Sequence, residues 1–144
     1  MNIILVGHGS IGSKYKESII KRISNNDQLF IIDKNTSLIK KLKSEGLNCF
    51  YSMEDIKNTV ITHGIVANWG PDHINTANKL IDLGCKRLII EKPISSRKDE
   101  LELFKKRCYE EKIFVTVHHF WGYTNIKEVL RNSEKKYDLG IPIG

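Results

Sequence analysis

Residues 1–15 read MNIILVGHGSIGSKY. Four apolar side chains, Ile3, Ile4, Leu5 and Val6, run directly into Gly7, Gly9 and Gly12. An apolar run without polar alternation reads as a strand buried on both faces. Ile11, Tyr15, Ile19 and Ile23 then recur every four residues, one face of a helix. The glycines therefore stand at a strand-to-helix junction, and what they serve depends on the rest of the chain.

The same rhythm continues downstream. "QLFIID" (28–33) reads as a second strand, and Leu38, Ile39 and Leu42 mark a second helix ended by Gly46. "NCFYS" (48–52) is a weaker third strand and "ITHGIVAN" (61–68) a fourth. Pro71 sits where a helix can begin, and Ile74, Ala77, Leu80 and Ile81 give that helix an apolar face up to Gly84. "KRLIIE" (86–91) is a fifth strand, followed by a helix lined by Leu101, Phe104 and Cys108. "IFVTVHHF" (113–120) is a sixth, before a last helix carrying Ile126, Val129 and Leu130. Buried strands separated by amphipathic helices predict an α/β fold: a doubly wound, mostly parallel, six-stranded Rossmann-type sheet with helices on both faces. Residues 1–138 form that domain, and 139–144 begin a linker or first strand beyond it.

In this frame Gly7-His8-Gly9-Ser10-Ile11-Gly12 is a G-x-G-x-x-G turn between the first strand and first helix. The first glycine allows the tight turn, the second lets a pyrophosphate approach the backbone, and the third lets helix and strand pack closely. The helix N-terminus, with Ser10 and Ile11 in its first turn, offers N–H groups and a positive dipole end. Asp33 lies 21 residues after Gly12, at the end of the second strand, where a carboxylate receives the ribose hydroxyls of a dinucleotide. A carboxylate there repels a 2′-phosphate by up to about 4 kcal/mol at an effective dielectric near 20. NAD is the expected cofactor, NADP the less favoured one, and Lys34 softens the preference.

Composition narrows the partners. A chain of 144 residues suits one domain with a sizeable core. Forty per cent is hydrophobic and 28% charged, an ordinary balance for a soluble protein. No apolar run approaches the roughly 20 residues that span a bilayer, and the N-terminus has no basic leader of the secretory kind. Cys49, Cys85 and Cys108 form no C-x-x-C pair and read as free thiols in a reducing, cytoplasmic setting. The net charge of +6 is spread over helices beside acids such as Glu45, Asp99, Glu100 and Glu102. No basic stripe with interleaved aromatics appears, so a nucleic-acid role rests on charge alone; modest steering of an anionic ligand is the other use of that charge.

The stretch "GIVANWGPDHINTANKLIDLGCKRLIIEKPIS" (64–95) resembles the Gfo/Idh/MocA oxidoreductases, named for glucose–fructose oxidoreductase and inositol dehydrogenase. The matching residues are Pro71, His73, Gly84 and Glu91-Lys92-Pro93, and with the glycine loop and Asp33 the resemblance covers essentially the whole chain. Glu91-Lys92-Pro93 ends the fifth strand at the sheet edge where open α/β sheets bind ligands. Pro93 disfavours helical backbone at Lys92. The resemblance implies that the Lys92 ammonium polarises a substrate oxygen or assists proton movement while hydride passes to the nicotinamide. Glu91 then orients the lysine or contacts the nicotinamide ribose. By themselves these residues also read as a strand-end ion pair on a turn.

The resemblance places nicotinamide and ribose contacts near Asn68 and Trp69. Trp69 stands where relatives carry a small residue, and either covers the cofactor or shields the loop. His73 either contacts substrate or is an ordinary residue of a helix's first turn. "VHHFWGYTNIKEVL" (117–130) lacks the arginine that relatives often carry there. His118 and His119 point to opposite faces if the strand continues, and no metal-ligand spacing is found.

"DLGIPIG" (138–144) resembles the family's entry into a second domain that supplies the substrate pocket and an acid–base histidine. That domain lies outside these residues. The expectation is therefore the cofactor domain of an oxidoreductase acting at a carbinol carbon of a sugar, cyclitol or nucleotide-sugar. The full-length form is expected to be a homo-oligomer, and the 144-residue chain alone to be inactive. The alternative is a non-catalytic, stand-alone NAD-binding or sensing module.

Overall fold

The computed structural model of the chain describes residues 1–56 and 59–118. Among these, six strands and four α-helices follow in order, with no α-helix between the third and fourth strands: β1 (Asn2–Val6), α1 (Ser10–Ile20), β2 (Gln28–Ile32), α2 (Thr36–Ser44), β3 (Asn48–Phe50), β4 (His63–Val66), α3 (His73–Asp82), β5 (Arg87–Glu91), α4 (Lys98–Glu110) and β6 (Phe114–His118). The strands form one sheet in the order β3-β2-β1-β4-β5-β6, and every neighbouring pair is parallel. The order reverses between β1 and β4, which leaves a crevice at the carboxyl edge there.

The apolar runs separate by parity into two cores. Ile3, Leu5, Leu29, Ile31 and Ile65 face one way and pack with Ile39 and Leu42 of α2, joined at the margin by Tyr15 and Ile19 of α1. Ile4, Val6, Phe30, Ile32 and Ile90 face the other way, against Ile74, Ala77, Leu80 and Ile81 of α3 and Phe104 of α4. A strand residue is thus buried whichever face it takes, and this is why the sequence shows continuous apolar runs. Leu5, Ile31 and Ile90 are wholly buried. Full burial of an aliphatic side chain contributes about 1.5–3 kcal/mol.

Some elements are shorter than the sequence suggests. The third strand stops at Phe50, and Met53–Asp55 turn into a short 3-10 helix capped by Ser52. The fourth spans only His63–Val66. Pro71 opens a 3-10 turn, Gly70–Asp72, and α3 proper begins at His73. α1 ends at Ile20, and Ile11 is exposed and joins neither core. The four-residue stripe therefore becomes a packed face only from Tyr15 onward. His119, the last helix with Ile126, Val129 and Leu130, and the boundary at residue 138 lie outside the described residues. Among the described residues, no helix is long and apolar enough to cross a membrane.

Candidate functional site

The loop after β1 is shaped by two contacts that exclude side chains. Gly7 has φ +91°, and a Cβ there would come within 2.5 Å of the Asn68 backbone. A Cβ on Gly12 would collide with the Gly7 carbonyl oxygen. Gly9 differs: nothing lies within 4 Å of a Cβ built on it, and its φ of −74° suits any L-residue. Neither packing nor backbone strain therefore requires glycine at position 9. The empty space over it is where an approaching ligand would need a bare backbone. Gly9 is also the N-cap of α1, whose first turn has no side-chain cap and no acid. The orphan N–H groups of that turn, on Ser10 and its neighbours, and the positive dipole end face outward unneutralised.

Asp33 lines the crevice at the end of β2. Its Oδ2 accepts the His8 N–H at 2.7 Å and its Oδ1 accepts the Asn35 N–H at 2.8 Å. The carboxylate is thus fixed against the glycine loop by two backbone donors. Each oxygen retains acceptor capacity for a hydroxyl. Asn35 in turn caps α2 by accepting the Leu38 N–H at 3.0 Å. The His8 imidazole is held below its ordinary pKa, first by burial and then by the Lys16 charge. Its Nε2 is buried without a hydrogen-bond partner among the described residues.

A cleft of about 510 Å³ opens at this edge, with Gly7, Gly9, Asp33, Asn68 and Trp69 in its walls and Ser52 and Met53 across from them. The elements that the sequence marks as cofactor-binding at β1, β2 and β4 therefore meet in one place. Trp69 is 72% exposed at its rim. Asn68 is pinned by its Nδ2, which donates to Thr76 Oγ1 at 2.9 Å, while its Oδ1 is buried without a hydrogen-bond partner among the described residues. An uncovered backbone cradle at Gly9, an anchored carboxylate and an unused amide oxygen fit a dinucleotide.

The turn after β5 is arranged differently from expectation. Glu91 does not orient Lys92: its Oε1 accepts the Tyr15 hydroxyl at 2.7 Å and pairs with His118 Nδ1 at 2.5 Å. Strand parity explains this. Ile89 packs on the α1 side, so Glu91, two residues on, points there too and meets Tyr15 of α1. His118 stands opposite it in the β5–β6 register. The Tyr15 and His118 rings meet edge to face with centroids 5.5 Å apart. Lys92 is exposed, and neither it nor Glu91 lines the cleft.

His73 does not line the cleft. It is 1% exposed, with Nδ1 at 2.8 Å from the Pro93 carbonyl oxygen and Nε2 at 3.0 Å from that of Asn68. Burial and two occupied nitrogens leave the ring no edge to offer a ligand. Sequence reasoning missed Tyr15, His118 and Thr76 as site partners; parity along β5 was the one available signal, and it pairs Glu91 with the α1 face.

The three cysteines are free. Burial raises each thiol, Cys108 to about 11, which disfavours the reactive thiolate. Among the described residues no group of three His, Cys, Asp or Glu side chains could hold a metal ion.

Fold and cleft together define an NAD-binding domain of the doubly wound class. A family model, the oxidoreductase family with NAD-binding Rossmann fold, matches residues 1–119, and the chain belongs to this Gfo/Idh/MocA family. No curated protein matches the sequence. Among solved structures it is similar to a probable dehydrogenase from Thermotoga maritima (TM-score 0.75, 16% identity, 93% of this chain and 42% of that one). It is also similar to the UDP-N-acetylglucosamine 3-dehydrogenase GnnA of Acidithiobacillus ferrooxidans (0.74, 17%, 92% and 41%). A third is the WlbA dehydrogenase of Bordetella pertussis, determined with NADH and UDP-GlcNAcA (0.68, 22%, 81% and 34%). At these identities the likeness is one of fold. The chain spans between 34% and 42% of the length of these relatives.

Proposed function

We propose that this chain is the cofactor domain of an NAD-dependent oxidoreductase that moves hydride at a carbinol carbon of a sugar, cyclitol or nucleotide-sugar. The observation that carries the cofactor choice is Asp33, held by the His8 and Asn35 amides beside the glycine loop. Its position favours ribose hydroxyls and repels a 2′-phosphate. The α1 N-terminus and bare Gly9 backbone receive the pyrophosphate, and Asn68 and Trp69 flank the nicotinamide half. When bound, NAD supplies the hydride acceptor. Lys92, exposed just beyond β5, offers an ammonium that donates a hydrogen bond to a substrate oxygen and polarises it while hydride passes to the nicotinamide. Nucleotide-sugar chemistry is supported by the fold likeness to two dehydrogenases whose names or ligands carry UDP-sugars.

Titration calorimetry with NAD and NADP tests the reading. Wild type is expected to prefer NAD, and Asp33→Ala to weaken NAD binding and narrow its advantage. A wild-type preference for NADP would reverse the assignment of Asp33. Substrate class is read from NADH formation at 340 nm across sugars, polyols and nucleotide-sugars, using the enzyme that carries this domain.

A further inference from the structure

The His73 ring bridges two loops that approach the crevice from different strands. On one side it meets the Pro93 carbonyl oxygen, on the other that of Asn68. A carbonyl oxygen only accepts, so whichever of these contacts is a hydrogen bond is donated by the ring. The Asn68 backbone lies against Gly7, and its side chain is bonded to Thr76, which is 5% exposed. Gly70 lies within 3.6 Å, as a Cβ would measure it, of the Pro93 ring. A continuous path of contacts therefore runs from the glycine loop through Asn68 and His73 to Pro93.

Pro93 is well suited to pass this constraint on. Its ring locks φ near −65°. Holding its carbonyl fixes the following peptide plane and, through the rigid ring, limits the backbone of Lys92 before it. We propose that His73 is a positioning residue: donation from Nδ1 to the Pro93 carbonyl sets the Glu91-Lys92-Pro93 turn relative to the cofactor loop. Its consequence for turnover rests on the proposed role of Lys92; the bond and its effect on the turn do not. A ring with one proton donates to only one carbonyl, so the proposal requires that Nδ1 carry one.

Two substitutions separate the two bonds. The amide of Asn falls close to Nδ1 of the histidine it replaces, and that of Gln reaches toward Nε2. His73→Asn therefore retains the donor to Pro93, and His73→Gln retains the donor to Asn68. In the 144-residue chain, NMR of 15N-histidine is expected to show a proton on His73 Nδ1, with a coupling through the hydrogen bond to the Pro93 carbonyl carbon. His73→Asn should leave the Lys92 and Ile94 amide signals close to wild type, and His73→Gln should shift them. NADH, used as the probe, should bind both variants within about threefold of wild type, a change under half a decade. An unprotonated Nδ1 in wild type, which needs no variant to fold, overturns the proposal. So do Lys92 and Ile94 signals that move equally in both variants. Normal turnover after Lys92→Ala would remove the lysine's proposed role while leaving the His73–Pro93 bond intact.

Discussion

The loop after β1 and the turn after β5 open on the same edge of one sheet, yet they are made of different materials. The first is defined by what is missing. Gly7 and Gly12 carry no Cβ because Asn68 and the Gly7 carbonyl occupy those spaces, and Gly9 lies bare beneath open space. The second is defined by what arrives from elsewhere. Glu91 is held by Tyr15, 76 residues earlier, and by His118, 27 residues later. Pro93 is held by His73, 20 residues earlier. A backbone-built site depends on bare backbone at particular positions; a site built from side chains depends on each distant partner.

The largest effect expected from this contrast is kinetic. In the enzyme that carries this domain, Lys92→Ala should lower turnover by a factor of about 100 or more, the range of a lost acid–base or polarising group. NADH affinity should hardly change, because Lys92 stands outside the cleft walls. Steady-state rates and a fluorescence titration of NADH on the same preparation check both halves. A matching loss of affinity would merge the two regions into one binding site.

Gly9→Val probes the opposite corner. A Cβ at this position meets nothing within 4 Å, so the branched side chain enters the open space above the backbone. NADH affinity should fall about 100-fold, or about 2.7 kcal/mol, while stability falls by no more than about 1 kcal/mol, the cost of a β-branched residue at the N-cap. Unchanged affinity in a folded variant would refute the phosphate-loop assignment. Gly12→Ala makes the control, since its Cβ meets the Gly7 carbonyl oxygen. Overpacking there should cost about 1–3 kcal/mol of stability.

The same contrast explains what could be read in advance. The α/β rhythm was legible because apolar runs at Ile3–Val6 and Leu29–Ile32 are buried on both faces. The glycine loop and Asp33 were legible because their spacing follows from one strand, one turn and one helix. The partners of Glu91 and the burial of His73 were not. They arise when α1, α3 and β6 close over the sheet, and no short-range pattern encodes that closure. The family resemblance pointed to Glu91, Lys92 and His73 as a group, but it did not separate the exposed ammonium from the buried imidazole.

Glu91→Gln sharpens the comparison further. It keeps the shape of the side chain and an acceptor for Tyr15 and His118, but removes the charge that strengthens those bonds. Stability should fall by about 1–2 kcal/mol, seen as a lower urea midpoint with an unchanged slope. A variant as stable as wild type would mean that the charge at this position is free for a ligand and not engaged in holding α1 and β6.

The smallest effect lies at His8, where the two kinds of construction meet, since a side chain sits inside the glycine loop. Burial, aided by Lys16, lowers its pKa in the folded state below the ordinary 6.5. Burial next to Arg87 does the same to His63. Between the lowered value and 6.5 the unfolded chain binds more protons than the folded one, so stability rises with pH through that window and is lost as pH falls below about 6.5. The orphaned Nε2 locates the cause, because a proton added there would be buried without an acceptor among the described residues. Melting temperatures measured from pH 7.5 down to pH 5 should decline more steeply in wild type than in His8→Asn, which cannot take up the proton, and His63 should supply the remaining slope. Because the His8 N–H is one of the two donors that fix Asp33, NADH affinity should weaken over the same range in wild type and less in the variant. Parallel slopes in the two proteins would show that the loop tolerates a charged imidazole, and that its stability depends on the glycines and Asp33 alone.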